Sequence, residues 1–153
     1  MIFYLLVPAI VLLDQFSKFI AVKYLEPVGS YPLIQNIFHL TFVKNDGAAF
    51  SIFSSKQLFL IIVTAVVICL ILGLLVKSVQ AGANPWLNLS LAFVAGGAIG
   101  NLIDRIRLNY VIDYFEFKFV NFAIFNVADV FIVLGTALMC YLVLFKNVEL
   151  KLK

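Results

Sequence analysis

Four long apolar runs limit the fold of this chain more than any other feature. They cover approximately residues 1–25, 58–76, 86–103 and 124–145. A helix needs about 20 predominantly apolar residues to cross the hydrocarbon core of a bilayer. Composition agrees: 64% of residues are hydrophobic and 12% charged, against about 45–50% apolar and about 25% charged in soluble domains. The expected fold is an all-α membrane protein with four transmembrane helices, a single domain over residues 1–153. The net charge of +3 is small and scattered, so no nucleic-acid partner is expected.

The first run resembles a signal peptide only superficially. It lacks a basic leading region, carries Asp14 and Lys18, and is followed by no small-residue cleavage site. It reads as a retained helix. Asp14 and Lys18 stand at i and i+4 and can pair on one face, as an ion pair turned toward the bundle. Glu26 to Ser30 is a turn. From Tyr31 to Val43 the pattern is not helical: Phe38, Leu40 and Phe42 alternate with His39, Thr41 and Val43, the period of a strand. Phe115, Phe117 and Phe119 alternate in the same way. The two strands are expected to pair into a small surface sheet, or cradle, over the bundle. Asn45-Asp46-Gly47 is turn chemistry, and Ala48 to Phe53 suggests a short interfacial helix. The second run ends at Lys77, with a polar turn over Ser78 to Pro85.

The polar residues inside and beside these runs are the functional candidates. Gly96 and Gly100 form a G-x-x-x-G pair that lets another helix approach. Gly97, Asn101 and Asp104 share one helix face, and Arg105 and Arg107 follow at the interface. Asp113 has the parity of the three phenylalanines, so its carboxylate is expected to turn from water and its pKa to rise by desolvation. Asn126 and Asp129 are i and i+3 in the last run. At about 1.5 Å per residue, Asp129 should lie roughly 7–8 Å from the start of that run. An ionisable group in a membrane segment marks function by default, and two carboxylates brought together can share a proton and do acid–base chemistry. His39 is the only histidine and no H-E-x-x-H occurs, so neither metal nor cofactor is expected. Cys69 and Cys140 read as small buried hydrophobes.

Five blocks of this sequence resemble the lipoprotein signal peptidases, also called signal peptidase II, a family of bacterial membrane aspartic peptidases. They are Asp14-Gln15-Phe16-Ser17-Lys18, Asn45-Asp46-Gly47-Ala48-Ala49-Phe50, residues 96–105 from Gly96 to Arg105, Val111-Ile112-Asp113-Tyr114, and Phe125-Asn126-Val127-Ala128-Asp129. The resemblance implies a catalytic pair at Asp113 and Asp129. It implies substrate contacts at Asn45, Gly47, Asn101, Arg105 and Asn126, and supporting roles for Asp14, Lys18 and Asp104. The implied substrate is a prolipoprotein carrying a diacylglyceryl group on its cysteine, cut just before that cysteine. Membrane lipids and globomycin-type inhibitors are the other implied partners, and the protein is expected to be a monomer. Two departures are mild: Tyr114 stands where Phe is common, and Asp46 adds an acid beside Asn45.

Other classes fit less well. An ion- or proton-coupled carrier would use intramembrane acids, but the runs carrying these acids show no paired broken helices. A structural subunit could keep the same acids as packing groups. A Ser–Lys peptidase would need Ser54 or Ser55 with Lys56, which lie together in a polar turn. Charge alone gives an ambiguous orientation. The side of the termini has Lys77, Lys146, Lys151 and Lys153, and the opposite side has Lys23, Lys44, Lys56, Arg105, Arg107 and Lys118. The positive-inside rule would put the termini outside. The family resemblance implies a bacterial cytoplasmic membrane, with cytoplasmic termini and an outward-facing site, and that orientation is the expectation adopted.

Overall fold

The computed structural model describes residues 2–47, 56–146 and 148. Four helices carry the fold: α1 (Ile2–Ile20), α2 (Gln57–Gln80), α3 (Pro85–Leu108) and α4 (Val127–Lys146). All four are long and apolar enough to cross a membrane, α1 together with the π-helical turn Ala21–Leu25 that extends it. The expected short helix at Ala48 to Phe53 lies outside the described residues.

More than half of α3 is buried, against less than a third of each other span, so α3 is the central helix. Its sequence explains why. A Cβ on Gly96 would meet Ile10 of α1 at 2.8 Å, and one on Gly100 would meet Asp14 Oδ2 at 2.5 Å. A Cβ on Gly97 would strike the Ala128 carbonyl oxygen of α4. Absent side chains therefore let α1 and α4 close on neighbouring faces of α3. The outward faces remain greasy, with Leu12, Phe16, Leu58, Leu70 and Leu144 all exposed, as lipid contact requires. Cys69 and Cys140 are exposed and free rather than buried.

The helices overrun the apolar runs in two places. α2 continues past Lys77 to Gln80, and Ser78 is buried there, donating to Asn88 Oδ1 at 2.6 Å. The next turn is therefore only Ala81–Asn84, closed by Asn84, whose side chain accepts from Trp86 N–H at 2.9 Å ahead of Pro85. α3 continues to Leu108, carrying Asp104 and Arg105 within the helix. Asn109 ends it in the left-handed conformation (φ 63°) that stops helices.

All long connections lie at one end of the bundle and build a three-stranded antiparallel sheet in the order β1-β2-β3: β1 (Ser30–Ile34), β2 (Phe38–Asn45) and β3 (Val111–Phe117). The expected pairing of the two aromatic strands is present, with Leu40 opposite Phe115 and Val43 opposite Asp113. Two details differ from expectation. A third strand, β1, occupies the edge, where Pro32 withholds no needed hydrogen bond. The second aromatic strand runs over 111–117 and stops before Phe119, because the chain turns at Lys118–Asn121. Phe125 then returns to pair with Phe115, exchanging N–H···O bonds of 2.8 and 3.1 Å.

Candidate active site

The sheet and the bundle bring together residues from α1, β2, α3, β3 and the start of α4. Asp113 lies on β3 and Asp129 in the first turn of α4. The fourth helix begins at Val127, so Asp129 lies closer to the helix start than its place in the apolar run suggested. Residues 124–126 form the approach to the helix instead.

Asn126 caps that helix. Its Oδ1 accepts from Asp129 N–H at 3.0 Å, and its own N–H donates to Asp129 Oδ2 at 3.1 Å. This is the reciprocal logic of a capping box, with Asn and Asp in the two roles. Asn126 Nδ2 donates to Asp113 Oδ1 at 2.6 Å. One wholly buried amide therefore contacts both acids. Asn45 Nδ2 holds the other oxygen of Asp113 at 2.9 Å, and Asn101 Nδ2 holds Asp129 Oδ1 at 2.8 Å. Asp113 is 2% exposed. Burial, and then the charge of Asp129, push its pKa up to about 7.

Beneath the pair is a buried ion cluster. Lys18 Nζ lies 2.9 Å from both Asp14 Oδ2 and Asp104 Oδ2. The expected Asp14–Lys18 pair is present and faces the bundle, and Asp104 joins it. Gln15, which the sequence did not single out, donates to Asp104 Oδ1 at 2.9 Å and to the Gly100 carbonyl at 3.2 Å. Its position beside Asp14 was the available signal. Tyr114 accounts for its own hydroxyl: it donates to Ser17 Oγ at 2.6 Å, and burial pushes its pKa up to about 12.

Arg105 spans the rim. Its two terminal nitrogens donate to the carbonyls of Gly47, at 3.1 Å, and Asn101, at 3.4 Å. Gly47 N–H in turn donates to Asn45 Oδ1 at 3.0 Å. All ten expected site residues are described, and all belong to this site or its support. Arg107 is exposed outside it, and His39 stays half-buried on β2, opposite Pro32 and Glu116. Lys56 is exposed just ahead of α2, whereas Ser54 and Ser55 lie outside the described residues. The acids open on a cavity of about 500 Å³ whose other walls are mostly apolar, among them Phe117, Phe122, Phe125 and Ile132. Among the described residues no cluster of three or more His, Cys, Asp or Glu could hold a metal ion.

Fold and site together define a multi-pass membrane protein with a paired-carboxylate centre at one end of its helix bundle. The family model for signal peptidase (SPase) II matches residues 6–145. The lipoprotein signal peptidase of Caldanaerobacter subterraneus subsp. tengcongensis is 50% identical over 142 residues, 93% of this chain and 95% of that one. That of Brevibacillus brevis is 43% identical over 138 residues, covering 90% and 91%. A solved bacterial membrane enzyme, determined by the in meso method at 2.3 Å resolution, superposes with a TM-score of 0.85 at 28% identity, over 97% of this chain and 90% of the other. The chain belongs to the signal peptidase II family of membrane proteases.

Proposed function

We propose that this protein is an aspartic endopeptidase that removes the signal peptide from diacylglyceryl-modified prolipoproteins by cutting before the lipidated cysteine. The observation that carries the reading is that buried Asn126 binds both carboxylates, Asp113 through side-chain Nδ2 and Asp129 through its backbone N–H, where the two acids line an apolar cavity. The name shared by the relatives, lipoprotein signal peptidase, supports the substrate class.

In this reading a water lies between the acids. Asp129 takes a proton from it as its oxygen attacks the scissile carbonyl. Asp113, kept protonated up to about pH 7 by burial and by its neighbour's charge, hydrogen-bonds the forming oxyanion. The C–N bond then breaks, and the departing amine takes up a proton from the pair. The pair titrates as a unit, so macroscopic pKa values belong to both acids. Arg105 Nε has no hydrogen-bond partner among the described residues, which makes it the donor we assign to a substrate carbonyl. The apolar walls suit the acyl chains of the substrate, and about 0.8 kcal/mol per buried CH₂ makes the lipid a large share of affinity.

The same reading places the protein as a monomer in the bacterial cytoplasmic membrane, termini inside and sheet outside. The charge count favours the reverse, but three of the six sheet-side bases are already engaged. Lys44 pairs with Glu26 at 2.8 Å, Lys118 with Glu116 at 2.6 Å, and Arg105 is bound into the site. Membrane lipids surround the exposed faces, and globomycin-type cyclic peptides are expected to occupy the cavity. The test is cleavage by purified protein in detergent, without an ion gradient. Lipidated precursor should be cut and the unlipidated form scarcely touched, with no effect of chelators. Equal cleavage of both forms would overturn the substrate assignment.

A further inference from the structure

Lys18 is almost wholly buried, and all three of its N–H donors are taken. They go to Asp14 Oδ2, Asp104 Oδ2 and Asn101 Oδ1, each at 2.9 Å. An ammonium donates and cannot accept. Asn101 therefore turns its oxygen to Lys18, where Asn126 Nδ2 also reaches it at 3.1 Å, and its Nδ2 faces Asp129 at 2.8 Å. The two carboxylates reach further. Asp14 Oδ1 accepts from Ala128 N–H at 3.0 Å, the residue before Asp129. Asp104 Oδ2 accepts from Ile112 N–H at 3.1 Å, the residue before Asp113.

We infer that Lys18 is a positioning residue of the acid pair, holding through Asp14 and Asp104 the backbone beside each acid and, with Asn126, turning the Asn101 amide to donate to Asp129. The inference rests on the aspartic reading above. It assigns more than stability to the ion cluster: the cluster sets the direction of the hydrogen bonds that reach the reacting carboxylates. The charged and titratable groups facing the pair are Asp14 and Lys18 from α1, Asp104 and Arg105 from α3, and Tyr114 from β3 beside Asp113. The described part of β2 contributes the uncharged Asn45.

The test uses the full chain, purified in detergent, with lipidated precursor. Two variants are compared, Lys18→Met and the combined Asp14→Asn, Lys18→Met, Asp104→Asn change, which removes the buried charges together. The folded combined variant should lose about 100-fold in kcat, the size of effect typical of supporting hydrogen-bond partners, with KM held within about threefold. In folded Lys18→Met the alkaline limb of the pH–rate profile should move up, because the positive charge that holds the Asp113 pKa down is gone. A lysine that only stabilised the fold would lower the melting temperature and leave kcat and the pH profile of the folded enzyme unchanged, and that result would overturn the inference. If neither variant folds, Asn101→Asp decides. It keeps the volume and gives Lys18 a carboxylate but offers Asp129 no N–H. A loss of about 100-fold in kcat supports the inference, and activity within about threefold of wild type removes it. Asp113→Asn, assayed in parallel, tests the catalytic reading separately, and full turnover there removes both.

Discussion

Asn126 and Asp129 bind each other twice, side chain to backbone in both directions, at 3.0 and 3.1 Å. The exchange starts α4 and fixes one carboxylate of the pair with the same two bonds. Asn126→Ala should cost about 1 kcal/mol of stability as a lost cap. It should also remove the donor to Asp113, so kcat should fall further than stability explains. Asn126→Asp keeps an acceptor for the cap but no donor. It also sets a buried carboxyl against Asp113, so melting temperature and kcat should both fall, and unchanged kcat would separate the cap from the chemistry.

Asp113→Asn and Asp129→Asn should each lower kcat by at least about 10²–10⁴-fold, the range of general acid–base catalysis. Both variants should keep their melting temperature in detergent to within a few degrees. A folded variant of either kind with near-normal turnover would shift attention to Asp14 and Asp104.

The pH dependence follows from Asp113. Its pKa is raised from 3.8 to about 7 on folding, so the folded state binds a proton that the unfolded chain has released. Its contribution to stability is complete below about pH 4 and is lost as pH rises to about 7. Melting temperature should fall across that window in the wild type, and this part of the slope should vanish in Asp113→Asn. Turnover should decline on the alkaline side near pH 7, as the proton needed by the oxyanion is lost. An alkaline limb that is the same in an Asn45→Leu variant would count against Asp113 as its source, because Asn45 hydrogen-bonds that carboxylate.

The α3 glycines give a packing prediction. Gly97→Ala places a methyl against the Ala128 carbonyl, and Gly100→Ala places one against Asp14. Each should cost about 1–3 kcal/mol as overpacking, and activity should fall because those contacts hold the start of α4 and the ion cluster. Gly73 has open space around its Cβ position, so Gly73→Ala should be neutral or stabilising by up to about 1 kcal/mol. Thermal melts of the three variants order these effects.

Orientation can be read by labelling single cysteines in a background lacking Cys69 and Cys140. Ser30 and Asn121 should react with an impermeant thiol reagent from outside intact cells, and Gly82 only after the membrane is opened. Reaction of Ser30 and Gly82 from the same side would contradict the four-span topology.

The spans were legible because a bilayer demands long apolar runs, and alternation revealed two strands. What escaped were the places where polar residues continue a helix. Ser78 and Asp104 look like interface residues by composition, yet both are buried because partners meet them, Asn88 for one and Lys18 with Ile112 for the other. β1 escaped because Pro32 and its exposed neighbours give no two-sided pattern, and only the backbone of β2 defines it as a strand. The acids themselves were legible by resemblance and by their placement. Their separation was not, because it is set by Asn126 acting from outside the helix that composition assigned to it.

The hydrogen bond from Ala128 to Asp14 joins residues 114 positions apart. During synthesis the first helix enters the membrane already carrying Asp14 and Lys18, long before the chain beyond Val127 exists. The third helix can complete the ion cluster and β3 can deliver Asp113, but the second carboxylate arrives only with the last helix. A nascent chain therefore carries a half-built centre through most of its insertion, and the two carboxylates meet in one late docking event. Any truncation before α4 should yield an inert membrane protein rather than a weakened protease, a safeguard written into the order in which the parts are made.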